Sequence, residues 1–426
     1  MAKGIIVVGF CALTAATLAG CSAGDVAPSE RERGVGRSSQ ALLPGSCRPF
    51  SCGTFSLDGC WCDAVCVDFG DCCADKIAAC DVPERSLPDY PPPTVNFWAQ
   101  ESQGVSHDAT SWFLSQNGPP PRISKVPLSY DLVGTFGTVP PPEAVVATIP
   151  TALQPINETA LQSALRLALC QVRGQTCLSG IQVRVPGYDH VGDPDVYGSY
   201  VFVPLSGVAA PAYGIPDPPT PLVAVYRTSD MSFVRTSTVC GLIGANGGVG
   251  WVATDPNRKL LYTSNSYVQD GKPIQVCNII DANIGLQGAG GADNPFLTFN
   301  SQIPLVDQNG ALLELPNMQG GDVSDDGTHL FLSNGCCNNH IGNDYGLRAF
   351  DLSLHPGKLI VTAAKSGLRK WVFPFCLDPG DCFDEPEGVD FGSVTGAPNI
   401  SSSAMLHVVL LKNGVLDAED FKHWAF

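Results

Sequence analysis

The sequence predicts a mainly β chain, in which a small disulfide-rich knot precedes a β-propeller. Six blades are favoured, and five to seven are compatible with the pattern. Eight of the 18 cysteines lie between Cys47 and Cys80. Gly (45) and Pro (35) are abundant while charged residues make up only 15% of 426 residues, which favours turns and short strands. One strand–turn–strand unit recurs after residue 96, which is typical of a propeller.

The chain begins with a segment typical of an export signal. Lys3 supplies a positive charge, and residues 4–17 form an apolar stretch too short to span a bilayer. The run Leu18–Cys21 resembles the lipobox of bacterial lipoproteins, in which the cysteine carries the lipid. The resemblance implies a signal peptide at residues 1–20, lipidation of Cys21 and a place in the cell envelope, at the outer membrane or cell surface. A plain secretory signal is the alternative.

A flexible tether and a cysteine-rich unit follow the signal. Residues 21–46 are rich in Ser, Gly, Arg and Ala without apolar periodicity, which predicts a tether. Residues 47–81 are too few to bury a sufficient core, so they need covalent links to fold. Disulfides are favoured over a metal cluster because the paired Cys-x2-Cys spacing and histidine are both missing there. The eight cysteines beyond residue 81 are also even in number, as an oxidising compartment requires.

The order of the clustered cysteines resembles the somatomedin B domain. Two motifs carry the resemblance: Cys-Trp-Cys-Asp-x2-Cys from Cys60, and Cys-Cys-x-Asp-x4-Cys from Cys72. That family holds four disulfides and serves mainly as a protein-binding module. Lys76 departs from the family, which has an aromatic residue at this place. The expected disulfide cysteines, whose pairing stays open, are Cys47, Cys52, Cys60, Cys62, Cys66, Cys72, Cys73 and Cys80.

The large region follows a proline-rich spacer at residues 82–95 and covers residues 96–426. Stretches such as DPNRKLLYTSN and SDDGTHLFLSN are typical of hairpins, with a polar turn before a half-buried strand. Because such units recur in order, they favour a propeller over a pair of β-sandwiches. The region is similar to extracellular six-bladed propellers.

One insert and several cysteines stand apart from this repeat. Residues 155–177 predict a helix, with Asn157 as N-cap and Gly174 as its end. Disulfides are expected between cysteines that flank short or moderate loops. The expected pairs are Cys170 with Cys177, Cys240 with Cys277, and Cys376 with Cys382, while Cys336 and Cys337 bridge to each other or elsewhere.

Acidic residues and histidines stand at the starts of the repeating units. The first strand of each propeller blade lines the central channel, so these side chains are expected to converge. Converging oxygens suit Ca²⁺, with a nearby histidine as base. The alternative is that the acidic residues form turns. The candidate metal ligands are Asp189, Asp193, Asp195, Asp322, Glu387 and Asp390, the candidate catalytic residues are His107 and His190, and Asp108 stands at a further strand start.

Charge and motifs limit the function classes. The net charge of −17 disfavours nucleic acid as a partner. Motifs of common hydrolases, zinc proteases and nucleotide-binding proteins are missing from the sequence. The sequence therefore favours a non-enzymatic lipoprotein, held at a membrane by its lipid, that binds an extracellular protein or glycan as an adhesion module. The alternative is a calcium-dependent hydrolase with its site in the central channel.

Overall fold

The computed structural model describes most of the large region and little of the chain before it. Several predictions lie outside the described residues, namely those on Cys21, residues 21–46 and 47–81, the helix at 155–177, Cys170, Cys177, Cys336, Cys337, Cys376 and Cys382. The described residues are 85–87, 90–91, 98, 101–117, 120–133, 143–151, 153, 187–207, 220–241, 248–265, 267–268, 273–286, 294–307, 309–335, 346–353, 355–361, 384–412 and 418–425.

Five antiparallel sheets, each with four strand positions, form a five-bladed β-propeller in chain order. Blade 1 contains β2 (Ser102–His107), β3 (Ser111–Gln116), β4 (Arg122–Pro127) and β5 (Val145–Thr148). In blade 2, β6 (His190–Val191) and β7 (Asp195–Tyr197) both pair with β8 (Tyr200–Ser206), which is followed by β9 (Leu222–Arg227) and β10 (Phe233–Thr238).

The next two blades repeat the same order from the centre outward. Blade 3 contains β11 (Ala253–Asp255), β12 (Leu260–Thr263), β14 (Ile274–Ile279) and β15 (Leu297–Ile303), and the four-residue helix α1 (Asp281–Ile284) lies between its last two strands. Blade 4 contains β17 (Met318–Val323), β18 (His329–Asn334), β19 (Gly346–Asp351) and β20 (Lys358–Val361). A small separate pair joins β13 (Tyr267–Val268) to β16 (Leu315–Pro316).

Blade 5 combines three strands from the C-terminal end of the large region with one strand that precedes that region in the chain. Its strands are β21 (Asp384–Phe391), β22 (Ala404–Lys412), β23 (Ala418–Ala425) and β1 (Arg85–Ser86). The outermost strand β1 pairs with β23, so Arg85 lies opposite Ala425 and Ser86 opposite Trp424. This strand falls within the stretch predicted as a proline-rich spacer, and it closes the ring.

The favoured number of six blades is wrong, although five lies within the predicted range. Each of the five blades takes its inner strand from one of the recurring strand–turn–strand units, and no sixth inner strand exists among the described residues. The early strand β1 completes blade 5 instead of starting a blade of its own. Uneven spacing between the units hid this arrangement.

Five apolar clusters hold the blades together, one at each blade–blade interface. Alternation along the strands explains the pattern, because successive side chains point to opposite faces of a sheet. In β3, Trp112 and Leu114 pack towards blade 5 while Phe113 packs towards blade 2. Both faces of each blade are therefore buried.

Cys240 and Cys277 form the disulfide expected of them, with their Cα atoms 5.8 Å apart. Cys240 follows β10 of blade 2, and Cys277 lies on β14 of blade 3. The bond therefore links two blades near their outer strands. No helix within the described ranges combines the length and the apolar character needed to cross a membrane.

Candidate functional site

The inner strands approach one another through glycines, which we call the glycine layer (Gly104, Gly192, Gly250, Gly320 and Gly388). A Cβ on Gly104 would lie 2.3 Å from the Cα of Asp193, and one on Gly192 would lie 2.0 Å from the carbonyl oxygen of Gly250. Real side chains never come so close, so only glycine fits. The other three glycines complete the ring of contacts. A Cβ on Gly250 would lie 2.6 Å from the Met318 carbonyl oxygen, and one on Gly320 would lie 2.8 Å from the Val389 nitrogen. A Cβ on Gly388 would lie 2.6 Å from the Gly104 Cα.

Asp193 fills the centre of the glycine layer with its carboxylate. One carboxylate oxygen accepts a hydrogen bond from the N–H of Val105 (2.9 Å). The other oxygen accepts from the N–H groups of Gly321 (3.1 Å) and Val389 (3.0 Å). Because these donors belong to blades 1, 4 and 5, one side chain of blade 2 connects four blades.

The backbone of Asp193 reaches the fifth blade. Its N–H donates to the carbonyl oxygen of Gly250 (2.7 Å), and its own carbonyl accepts from the N–H of Val252 (3.2 Å). These bonds make a parallel bridge between Asp193 and Trp251 at the start of blade 3. Asp193 therefore contacts every blade of the ring.

Burial dominates the electrostatics of Asp193, which has 0% of its surface exposed. Burial raises the pKa of this carboxyl well above its ordinary value, while the three N–H donors oppose the shift. An N–H group can only donate, so all three bonds require acceptor oxygens on Asp193. This arrangement gives the residue a structural role at the centre of the channel.

A second group of carboxyls lies further along the inner strands, and we call it the carboxylate cluster (Asp195, Asp322 and Asp390). Asp195 accepts from Ser106 Oγ (3.4 Å) and Thr254 Oγ1 (2.7 Å), which belong to the two neighbouring blades. Asp322 accepts from the N–H groups of Val323 and Phe391, both at 2.6 Å. The cluster therefore draws on all five inner strands.

Burial and mutual repulsion shift the protonation of the cluster. Burial raises the pKa of Asp195 to about 7, and the negative charge of Asp390 adds to the rise. Burial also raises the pKa of Asp322 well above its ordinary value, with further contributions from the charges of Asp195 and Asp390. Asp195 and Asp322 therefore hold protons more tightly than exposed carboxyls do.

His107 is the cationic neighbour of the cluster. Its Nδ1 lies 2.5 Å from one oxygen of Asp390, and its backbone N–H donates to the other oxygen (3.2 Å). Burial lowers the pKa of His107, but the charge of Asp390 and the hydrogen bond to it outweigh burial, so the net shift is upward. The pair is largely buried, with 10% of the His107 side chain and 3% of the Asp390 side chain exposed.

His190 lies at the other end of the channel from His107. Its Nδ1 accepts from the side-chain amide of Asn117 (2.6 Å), and the backbone N–H of Asn117 bonds the carbonyl of Glu101 at the start of β2. His107 ends β2, so about 17 Å of strand separates the two sites. Burial lowers the pKa of His190, partly opposed by Asp189. The two candidate bases are therefore not brought together.

The remaining predicted site residues also separate. Glu387, which is buried, accepts from Gln319 Nε2 (3.2 Å). Gln319 directly precedes Gly320, and Glu387 directly precedes Gly388. The glycine layer therefore stands between Glu387 and the carboxylate cluster. Asp108 accepts from the backbone of Thr110 and Ser111, which makes it a turn residue.

The calcium site stays a prediction. Within the described ranges, no group of three or more His, Cys, Asp or Glu side chains is placed to hold a metal ion. The sequence did not reveal the glycine layer, although Gly192 directly precedes Asp193, Gly388 directly follows Glu387 and Gly320 stands two residues before Asp322. That recurrent glycine was the signal available.

The comparisons with known proteins give a weak likeness. No family model matches the chain, and no curated protein matches it. Similar solved structures include the glutaminyl cyclase of Myxococcus xanthus, with 10% identity, a TM-score of 0.39 and coverage of 80% of this chain and 94% of that chain. The hydrazine synthase of Kuenenia stuttgartiensis has 11% identity and a TM-score of 0.33, and the match covers 74% of this chain and 77% of that chain. The β-propeller domain of Cps50 (Swd1) from Myceliophteria thermophila has 9% identity and a TM-score of 0.28, and the match covers 74% of this chain and 67% of that chain. The five-bladed architecture therefore rests on the sheets of the chain itself.

Proposed function

We propose that the chain is an exported, lipid-anchored protein that binds an extracellular protein or glycan through the outside of its propeller. The observation that carries this proposal is the filled channel centre. The glycine layer leaves no space for a Cβ, and Asp193 occupies what remains. A substrate therefore has no route through this layer, and the channel centre serves the stability of the ring.

The channel side chains are already engaged with the protein itself. Both oxygens of Asp322 and both oxygens of Asp390 accept hydrogen bonds. His107 is held by Asp390 through Nδ1, and the backbone of Ser393 also hydrogen-bonds it. A general base needs a nitrogen that reaches the substrate, so this geometry favours binding over hydrolysis.

The outer strands offer a surface with the chemistry of a binding site. Phe299 on β15 is 53% exposed. A Cβ on Gly241 would contact both the Phe299 ring (3.4 Å) and the Gln275 side chain, so these two groups are neighbours. Gln302 donates to the Gln275 side-chain oxygen (3.1 Å). We call Phe299 and Gln302 the blade 3 patch, since Gln275 itself is buried (3% exposed) and holds the exposed Gln302 amide. An aromatic ring beside an amide matches the C–H faces and hydroxyls of a sugar and the mixed surface of a protein.

The experiment uses the chain from residue 22, which lacks the signal and Cys21. Binding to a glycan array and to immobilised extracellular proteins is measured by biolayer interferometry. Phe299→Ser is expected to weaken binding at least tenfold. Phe233→Ser is the matched control, because Phe233 is also exposed (42%) on an outermost strand but belongs to blade 2.

Two outcomes would contradict the proposal. One is the absence of any ligand in both arrays. The other is turnover of ester, glycoside or phosphoester substrates that requires CaCl₂ and disappears in Asp322→Asn, which would favour the hydrolase instead.

Anchoring has its own test in a bacterial host. The full chain is expected in the membrane fraction with a mass increase on Cys21, and Cys21→Ser is expected to release it. An unmodified Cys21 in soluble protein would contradict the lipid anchor and leave the binding test standing.

A further inference from the structure

Two histidines of blade 5 face each other on adjacent strands. His407 on β22 and His423 on β23 are 0% and 1% exposed, and their Nδ1 atoms lie 2.7 Å apart. The Nε2 of His407 lies 3.0 Å from the carbonyl oxygen of Gly392. The Nε2 of His423 lies 2.7 Å from the carbonyl oxygen of Tyr90.

The proton count of this pair follows from its partners. A carbonyl oxygen only accepts, so both Nε2 atoms must carry a hydrogen. The remaining bond, between the two Nδ1 atoms, needs one further hydrogen. The pair therefore requires three protons, whereas two neutral imidazoles carry two. All three hydrogen bonds form only when the pair has one positive charge.

We propose that His407 and His423 share one proton, and that this proton ties the strand that closes the propeller to the ring. The closing segment consists of residues 85–87 and 90–91. Its Leu87 N–H donates to the His423 carbonyl (2.9 Å), and its Tyr90 N–H donates to the Phe421 carbonyl (3.2 Å). The His423 side chain adds the bond to Tyr90, so the charged pair sits directly on the closure.

The surroundings of the pair assign the charge to His423. Outside the pair, His107 lies close to His407, with ring centroids 6.0 Å apart, and His107 is paired with Asp390. Burial, followed by the charges of His423 and His107, lowers the pKa of His407 well below its ordinary value. His407 thus accepts at Nδ1, and His423 donates from both nitrogens. The Phe421 ring (6.2 Å from His423) adds an aromatic neighbour for the cation.

The three-proton state is bounded on both sides. Loss of the shared proton leaves two Nδ1 lone pairs facing each other, or forces one ring to give up its hydrogen bond to a carbonyl oxygen. A fourth proton places two N–H groups face to face. Because the pKa of His407 is lowered, the folded protein resists this fourth proton, so closure weakens as pH falls below about 6.5. From the same geometry we expect the closure to weaken at alkaline pH as well, because the shared proton leaves there.

The first test counts protons directly. Long-range ¹⁵N–¹H spectra of the full chain, labelled at its seven histidines, report hydrogens on each ring nitrogen. At pH 7 we expect hydrogens on both Nε2 atoms and one shared Nδ1 proton with a cationic His423. Two neutral rings in the pair would overturn the proposal. This measurement needs no variant.

The second test measures closure by hydrogen exchange of peptides that cover residues 85–91, corrected for intrinsic exchange rates. Wild-type protection is expected to peak near neutral pH and to fall about tenfold on each side, as the loss of one charged hydrogen bond implies. His407→Gln is expected to abolish the acid fall, because its amide donates to Gly392 and accepts from His423 but takes up no proton. The control His355→Gln, at an exposed turn, is expected to keep both falls. Protection that does not change between pH 5 and pH 9 would overturn the proposal.

Discussion

Asp193 and the carboxylate cluster are both buried carboxyls of the same channel, yet they are held differently. Asp193 receives three backbone N–H donors from three blades and sits among glycines. In the carboxylate cluster, neighbouring carboxylate charges add to the rise that burial causes in the pKa of Asp195 and Asp322, and His107 pairs with Asp390. After burial, the strongest influence on the pKa of Asp193 is its N–H donors, which lower it, whereas for Asp322 it is the charges of Asp195 and Asp390, which raise it.

The largest expected effect breaks the close approach at the centre. Gly104→Ala places a Cβ 2.3 Å from the Cα of Asp193, which a packed ring cannot absorb. We expect a loss of about 4 kcal/mol or more in the free energy of unfolding, or no folded protein. Urea unfolding monitored by tryptophan fluorescence measures it.

The matched control is Gly285→Ala. Gly285 has a φ of −80°, and its Cβ would lie 3.5 Å from the Tyr200 hydroxyl, which is an ordinary contact. Equal losses in the two variants would show that the glycine layer has no special role.

Asp193→Asn keeps the shape of the side chain and breaks its hydrogen bonds. In either orientation the new amide nitrogen faces at least one buried N–H donor, so one donor or more loses its acceptor. We expect a loss of about 2–4 kcal/mol. Thermal and urea unfolding at pH 7 measure the loss, and a change below about 1 kcal/mol would argue against the central role of Asp193.

The cluster is expected to make stability fall as pH rises. The pKa of Asp195 is about 7 in the folded protein against an ordinary value of 3.8, so the folded state binds more protons between these pH values. The free energy of unfolding therefore drops through this window, by about 1 kcal/mol per pH unit for one proton. Asp195→Asn is expected to flatten the slope between pH 4.5 and 7, whatever its effect on the baseline.

Asp230→Asn serves as the control for that slope. Hydrogen bonds from Ser232 lower the pKa of Asp230, which lies in an exposed turn. Its contribution has the opposite sign, because stability from a lowered carboxyl pKa is lost as pH falls. A flatter slope in Asp230→Asn than in Asp195→Asn would contradict the assignment.

The smallest expected effect concerns a carboxylate at the surface. Lys259 Nζ lies 2.5 Å from Asp281, and the two side chains are 61% and 45% exposed. Water screens such pairs, so Lys259→Ala is expected to change stability by less than about 0.5 kcal/mol. A larger change, measured by the same urea titration, would show that exposure to water does not weaken this ion pair as expected.

Local chemistry made much of the fold predictable from the sequence. Hairpin stretches such as the one at Asp325–Gly327 formed strands where alternation and turn residues required them. The closing strand was not predictable in the same way, since Arg85–Ser86 is too short and polar to show a pattern. Its place is decided by β23, a partner more than 300 residues away.

The channel was predictable in part. The acidic residues at strand starts indicated which side chains meet at the centre, and Asp193, Asp195, Asp322 and Asp390 lie there. Sequence could not show which buried carboxyl receives N–H donors from three other blades and which has its pKa raised further by neighbouring carboxylates. That distinction depends on which N–H groups three distant blades direct towards Asp193.

The position of β1 has a mechanical consequence. β1 is joined to β23 by two residue pairs, Arg85 with Ala425 and Ser86 with Trp424, so a pull on the backbone at Arg85 loads these two pairs. Load along the strand shears these bonds, whereas load across it peels them one at a time. The pairing of β1 with β23 is thus the contact through which a pull on Arg85 reaches the propeller.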